Sequence, residues 1–378
     1  MGYLYKTLVS LEDLPSNFHV DLDENFRKFL FEKARSNETW IFLAKKIRYS
    51  RERLTCLKRG YRTVHSKKEK NLININLLKE LSKISHTSLE KVKKHVVAVR
   101  IGRGKCYSLK LPINESTELA SVTAHSFGDG HLNNSNLFYY NENEGLVKSF
   151  VTDVKKVFGY IEPIIYYDGK GTTVVFPVVV AQILSLIGGV KFNKTLQDYD
   201  IPSWVKNSSK EIKASFIRGL FDDESSLDIE QREIIFQMSN NKKFILSVLE
   251  ILAEFGIKCS LRTAGEYRDK NNYKKIMYRF AIGKFENLLK YKNIGFEHTE
   301  KQKMLIKILE DFQDVHYLYE DIEKNMIDLL LNKGSLTTKD LMKELNRSDE
   351  SIRIHLNNLH NKNLIIQINN YPSTWKIR

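Results

Sequence analysis

An α+β fold is predicted, with two pseudo-symmetric αββαββα units preceded by a small helical domain and followed by a domain of helices and a hairpin. Three observations predict it. A helical run ending in an acidic residue occurs twice, at residues 122–130 and 217–225, and the two align without a gap. The same order of patterns follows each: two strand-like runs, a helix closed by glycine, two more strand-like runs and a short helix. From the acid to the closing glycine is 30 residues for Asp129 to Gly159 and 32 for Glu224 to Gly256, which duplication explains and chance does not.

With 378 residues, 42% of them hydrophobic, the chain has apolar material for two to four compact units. No run approaches the roughly 20 apolar residues of a membrane helix and no charged-then-apolar leader is seen, so a soluble protein is expected. Cys56, Cys106 and Cys259 stand far apart without a Cys-x-x-Cys pair. They are expected to be plain buried thiols, which leaves out a disulfide framework and a zinc ribbon. The net charge is +14, and the whole excess lies in residues 1–114, with 25 Lys and Arg against 11 Asp and Glu; residues 115–378 hold 35 of each kind. Such clustering points to a polyanion, because bound cations release counterions from a phosphate backbone. The plain alternative is that lysines keep the chain in solution.

Residues 1–114 are expected to form a basic helical domain. Thr39, Trp40, Leu43, Ala44 and Ile47, then Leu54 and Leu57, have helical spacing, with Ser50 placed to cap a second helix and Gly60 to end it. The pair resembles the helix-turn-helix of phage-repressor-like domains, and its second helix would carry Arg51, Arg53, Lys58 and Arg59 into the major groove. Lys67, Lys68 and Lys70 precede two further helical patterns, at residues 75–84 and 88–96.

The two units are expected at residues 115–204 and 205–312. Their motif segments run Val122-Thr-Ala-His-Ser-Phe-Gly128-Asp129-Gly130 and Ile217-Arg-Gly-Leu-Phe-Asp222-Asp223-Glu224-Ser225. Both resemble the LAGLIDADG motif, the second being close to the form common in archaeal-type members. Gly188-Gly-Val-Lys191 followed by Ile201-Pro-Ser-Trp204 is similar to the connection between the two repeats of that family. The resemblance, to single-chain, two-motif, freestanding homing endonucleases, covers residue 115 to about 310.

It implies two helices crossing closely, with small residues such as Ala124 and Gly219 at the crossing, and saddle-shaped antiparallel sheets lying along the major groove. It also implies that Asp129 and Glu224 lie side by side as ligands of Mg2+ (or Mn2+) for hydrolysis of double-stranded DNA. Carboxylates are hard oxygen donors suited to that ion, and a metal pair can activate water and neutralise the leaving oxygen. Helpers implied at strand ends are Gln237 and Lys284 in the second unit. In the first they are Tyr139 and an apolar residue near Val180, with Lys191 as the neighbouring base. The DNA face would carry Asn133, Asn134, Asn136, Gln231, Arg232, Arg262, Arg268, Lys274, Lys275 and Arg279.

The motifs depart from the family pattern in places. Glu224 and Ser225 stand where Asp and Gly are usual, and the longer acid would shift a metal by about 1.5 Å. His125 and Ser126 replace apolar residues, so that they either face outward or weaken the helix packing. His125 and His131 are six apart, which is not a metal spacing. Each acid also has a plain reading, Asp129 as a turn residue in Gly-Asp-Gly and Glu224 as a solvated acid.

Residues 313–378 read as three amphipathic helices at 321–331, 338–345 and 348–360 and two strands at 364–368 and 373–377, a winged helix. Ile352, Leu356, Leu359, Leu364 and Ile365 are expected in its core, leaving Arg353, Asn357 and Asn358 for a groove or a protein partner. The expected activity is that of a monomeric, Mg2+-dependent, site-specific DNA endonuclease, cytoplasmic and nucleoid-associated, able to cut both strands or to nick. The alternative is a transcription regulator that kept the scaffold and lost catalysis, as in sporulation regulators that join degenerate motifs to a helix-turn-helix. A third reading is assistance of intron RNA folding. The ends at Met1 and Lys376-Ile-Arg378 argue against self-splicing.

Overall fold

The computed structural model describes residues 6–64, 67–133, 135–188, 199–239, 241–268, 272, 274–315, 319–345, 347, 349–370 and 372–378. In the N-terminal part, β1 (Thr7–Val9) and β2 (Phe18–Leu22) precede helices α1 (Glu24–Asn37), α2 (Trp40–Ile47) and α3 (Arg51–Arg59). A hairpin β3 (Tyr61–Val64) and β4 (Lys67–Lys70) leads to β5 (Ile73–Asn74), α4 (Ile75–Ile84), α5 (Leu89–Lys93), β6 (Val96–Ile101) and β7 (Ile113–Asn114). The helix pair forms where its spacing places it: Ser50 Oγ accepts from Arg53 N–H, and Gly60 closes α3 at φ +79°, a value glycine adopts without strain.

The expectation of a purely helical N-terminal part is corrected by a three-stranded sheet of order β5-β2-β6. The helical pattern at 88–96 stops at Lys93, and Val96, Val97 and Val99 enter β6, where branched side chains suit a pleated surface. β1 pairs with β7, so the chain closes back on itself at the start of the first unit.

The two units repeat one topology. The first is α6 (Thr117–Phe127), β8 (Gly130–Leu132), β9 (Asn136–Asn141), α7 (Glu144–Phe158), β10 (Ile164–Tyr167), β11 (Thr172–Pro177) and α8 (Val178–Ile187). After a short helix α9 (Ser203–Lys206), the second is α10 (Lys210–Glu224), β12 (Ser225–Asp228), β13 (Glu233–Ser239), α11 (Lys242–Glu254), β14 (Arg262–Arg268), β15 (Lys274–Ile282) and α12 (Phe285–Lys292). Strand orders β8-β9-β11-β10 and β12-β13-β15-β14 correspond position by position, and all pairs are antiparallel.

Helices α6 and α10 pack at the centre. A Cβ on Gly219 would meet Ala124 Cβ at 3.2 Å and His125 Nε2 at 3.3 Å, so the crossing is already at contact distance with hydrogen in place of a side chain. One continuous core runs from Val9 through both units to Leu309 in α13 (Thr299–Val315).

The C-terminal part has its own core of Ile322, Met326, Leu330, Leu341, Leu345, Ile352, Leu356, Leu359, Ile365 and Trp375. It comprises α14 (Tyr319–Lys333), β16 (Ser335–Thr337), α15 (Thr338–Leu345), α16 (Asp349–Asn361), β17 (Ile365–Asn370) and β18 (Ser373–Ile377), with sheet order β16-β18-β17. Strand β16, too short to show a period, completes the wing. Leu364 is corrected as a core residue: it is 44% exposed, while its neighbour Ile365 turns inward.

Replacing Gly219 by Val should push the two central helices apart. Urea unfolding is expected to show a loss on the order of 2–3 kcal/mol, the usual scale of overpacking, and an unchanged midpoint would contradict the crossing.

Candidate active site at the ends of the paired helices

Helix α6 ends at Phe127, and Gly128 and Asp129 follow; α10 carries its acid, Glu224, as its last residue. Asp129 is exposed and Glu224 half-buried. Asn141 Nδ2, at the end of β9, donates to Asp129 Oδ2 at 3.0 Å and so orients that carboxylate. Between the two acids lies Asp223, whose side chain is fully buried, as is that of His125. Asp223 accepts from His125 Nδ1 at 3.0 Å, from the Asp129 N–H at 3.2 Å and from Tyr139 OH at 3.1 Å. The expectation that His125 faces outward is therefore corrected: it faces the second helix and finds a charged partner there.

Burial alone would lower the pKa of His125, but the Asp223 charge and hydrogen bond, with Asp222 beyond them, raise it to about 9. Burial and the same carboxylates hold the Tyr139 phenol far above its ordinary range, so it stays a donor. Asp222 is pushed up to about 6 by burial, against the pull of the N–H groups of His298 and Glu297, which bond it at 3.0 and 3.1 Å. Lys301 enters from α13 and donates to the carbonyls of Phe221, Asp222 and Ser225 at 3.2, 2.5 and 2.6 Å. Burial lowers its pKa while Asp222, Asp223, Asp129 and Glu224 all act to raise it. It is a cation fixed at the negative end of α10.

Strand register shows how the halves differ. Gly130 faces Tyr139 and Ser225 faces Phe236, so the counterpart of Gln237 is Tyr140, one residue on from Tyr139. The β9–β11 and β13–β15 pairings make Val178, an apolar residue near Val180 as expected, the counterpart of Lys284, and Val180 itself is buried. Lys284 is exposed at φ +62° ahead of α12, and Gln237 is half-buried on β13 opposite Arg279. Lys191 lies outside the described residues.

Among the residues expected at a DNA face, Arg51, Arg53 and Arg59 are exposed on α3, with Arg53 stacked 4.5 Å over the Tyr49 ring, whereas Lys58 pairs with Glu32 at 2.9 Å. Asn133 spends its carbonyl on the N–H groups of Ser135 and Asn136, Asn136 sits half-buried in β9, and Asn134 lies outside the described residues. Gln231 and Arg232 form the β12–β13 turn; Arg262 and Arg268 are exposed on β14, Arg268 bonded to the Asn272 carbonyl; Lys274 and Lys275 open β15; and Arg279 pairs with Glu233 at 3.0 Å. Arg353, bonded to Asp349 at 2.7 Å, and Asn357 are exposed on α16. The first sheet offers instead Ile164, Ile165, Tyr166 and Tyr167, all exposed on its edge strand β10. The three cysteines are half-buried and unpaired, not fully buried as expected.

Residues that sequence reasoning missed are Asp223, Asn141 and Lys301. Asp223 had a signal: a second acid beside Glu224, matched across the helix crossing by an unexpected histidine. Lys301 had none, since it comes from a helix beyond the repeats. As a donor set for a divalent cation, Asp129 and Glu224 fit Mg2+, which takes hard oxygens and keeps water and phosphate in its shell. Among the described residues, no three His, Cys, Asp or Glu side chains gather into a closed cage.

The imidazolium of His125 has a stated pH window. Below about 6.5 histidine is protonated folded and unfolded and the stabilisation is complete; it fades as pH rises through about 9. Urea unfolding between pH 6.5 and 9.5 should lose about 3 kcal/mol relative to the His125→Leu/Asp223→Ala double variant. Parallel pH curves for the two proteins would exclude a charged histidine.

Residues 211–295 match the family model of a LAGLIDADG-like domain, and residues 323–370 that of a DeoR-like helix-turn-helix domain. Among curated proteins, the chain is similar to a probable translation initiation factor IF-2 of Methanocaldococcus jannaschii, 26% identical over 79% of this chain and 26% of that protein. It is also similar to the DNA-directed RNA polymerase subunit Rpo1N of the same organism, 26% identical over 58% and 18%, and to the tRNA-splicing ligase RtcB of Methanopyrus kandleri, 24% identical over 49% and 21%. The chain thus spans about a fifth to a quarter of the length of these relatives. Among solved structures it is similar to I-DmoI in complex with DNA and Mn, at 13% identity and a TM-score of 0.32 over 53% of this chain and 98% of that one. It is similar as well to full-length DUF199/WhiA from Thermatoga maritima, at 12% and 0.34 over 65% and 92%. No described helix is long and apolar enough to cross a membrane. The chain thus contains a LAGLIDADG-like domain at residues 211–295 and a DeoR-like helix-turn-helix domain at residues 323–370.

Proposed function

We propose that this protein is a site-specific endonuclease that binds double-stranded DNA as a monomer and hydrolyses phosphodiester bonds with Mg2+ (or Mn2+) held by Asp129 and Glu224. The observation that carries the reading is that one of two paired helices ends on Glu224 and the other two residues before Asp129, with one strand order repeated behind each. The curated relatives support it in a second way. Their names share no activity and the matched segment is a minority of each, as expected of a segment with an activity of its own.

When bound, Mg2+ supplies charge to the phosphate oxygens and a more acidic water. The chain's own part is to present the ligands and the scissile phosphate. Asn141 turns the Asp129 carboxylate, and Lys301 places its ammonium among Asp222, Asp223, Asp129 and Glu224. Lys284 and Gln237 offer an ammonium and an amide to phosphate and water in the second half, and the two sheets read the groove as a saddle. Arg51, Arg53 and Arg59 on α3, and Arg353 and Asn357 on α16, add contacts on either side.

A regulator without cleavage is the second reading. It is favoured by the first half, where Tyr140 and Val178 stand in the places of Gln237 and Lys284, and by the DeoR-like domain.

Incubation with a randomised duplex library and Mg2+, followed by sequencing of ends and of bound fragments, separates the two. Cut ends are expected, reduced by roughly two orders of magnitude by Asp129→Asn or Glu224→Gln, the scale of losing one preorganised charge-stabilising group. Bound but uncut fragments would establish the regulator. For binding, Arg51→Gln, Arg53→Gln and Arg59→Gln together should flatten the slope of log affinity against log salt by about 0.9 for each phosphate that is no longer neutralised. An unchanged slope would remove α3 from the DNA.

A further inference from the structure

We propose that Asp223 is a positioning residue that clasps the Asp129 backbone from across the repeat interface, with His125 as its matched counter-charge. The proposal rests on the reading of Asp129 and Glu224 as the metal-binding acids.

The three donors to Asp223, namely His125 Nδ1, the Asp129 N–H and Tyr139 OH, all come from the first unit, while Asp223 belongs to the second and directly precedes Glu224. One carboxylate therefore ties the peptide of one acid to the chain that bears the other. The clasp is tight on its remaining side. A Cβ on Gly128 would fall 2.5 Å from Asp223 Oδ2 and 2.6 Å from its Cβ, so the peptide leading into Asp129 lies directly against this side chain. Tyr139 extends the hold into β9, and two residues further Asn141 bonds the Asp129 carboxylate itself. The backbone of Asp129 is thus held by Asp223 and its side chain by Asn141.

A buried carboxylate needs a counter-charge, and His125 provides it from the face of α6 that meets Gly219. In the LAGLIDADG pattern the His125 position is apolar and the Asp223 position is open. Either residue alone would be a liability; together they form a unit. If the pair served packing only, an apolar pair would replace it without consequence for Asp129, because buried ion pairs are often no better than apolar packing of similar volume.

The test compares Asp223→Ala and His125→Leu singly and combined in the full chain. Each single variant strands a buried charge and should raise the unfolding constant roughly 100-fold or more, and the double variant should recover most of that loss. In the folded double variant, amide exchange followed by NMR should speed roughly 5- to 10-fold at Asp129 while the α6 amides keep their protection. The Mn2+ concentration needed for half-maximal binding, measured without DNA, should rise as well. Wild-type exchange at the Asp129 amide in the double variant would overturn the clasp. If Asp129→Asn leaves Mn2+ binding unchanged, the metal reading fails, yet the exchange measurement still decides for or against the clasp.

Discussion

The close crossing of α6 and α10 concentrates like charge. Once Gly219 lets the two backbones approach, both helices point their negative ends the same way, and Asp129, Asp222, Asp223 and Glu224 cluster at those ends. Asp222 and Asp223 are largely removed from water, where charges of one sign repel most strongly. The surrounding structure answers this problem residue by residue. Asp223 receives an imidazole N–H, a phenol and a peptide N–H; Asp222 receives two N–H groups just ahead of α13; Lys301 sits on carbonyls at the end of α10. The inner acids are compensated from within the chain. The outer two are Asp129, whose carboxylate is oriented by Asn141, and Glu224, the last residue of α10.

That division also explains an asymmetry between the halves. The compensation is built from both sides: His125, Tyr139 and the Asp129 peptide come from the first unit, and Lys301 follows the second. The first unit gives its polar groups at the helix end to the interface. On the outside it shows Tyr140, Val178 and the exposed apolar side chains of β10, whereas the second shows Gln237, Lys284 and a row of arginines. The exposed cations thus lie on the second sheet, and the exposed apolar and aromatic side chains on the edge of the first.

Much of this was legible in the sequence wherever one period or one cap decided the outcome. The two units, the glycine-closed helices α7 and α11, the pair α2 and α3 with Ser50 and Gly60, and the three C-terminal helices all follow from local pattern. The sheet β5-β2-β6 was not legible, because its strands are short and far apart in the chain, and Val96 to Ile101 adjoins a helical pattern that it could extend. The site divides along the same line. Asp129 and Glu224 are read from the motif, but the partner of His125 lies 98 residues away and Lys301 reaches α10 from about 80 residues off, so only the packed helices bring them together.

The described residues pack around two separate cores. The N-terminal part shares one continuous core with the two units and closes on them through the β1–β7 pair, so α3 is carried at a fixed place relative to the carboxylates. The C-terminal part has a core of its own, in which Trp375 Nε1 bonds Thr338 within the wing. The basic excess is therefore mounted on the frame that holds the acids. Helix α16 belongs instead to the separately packed C-terminal part.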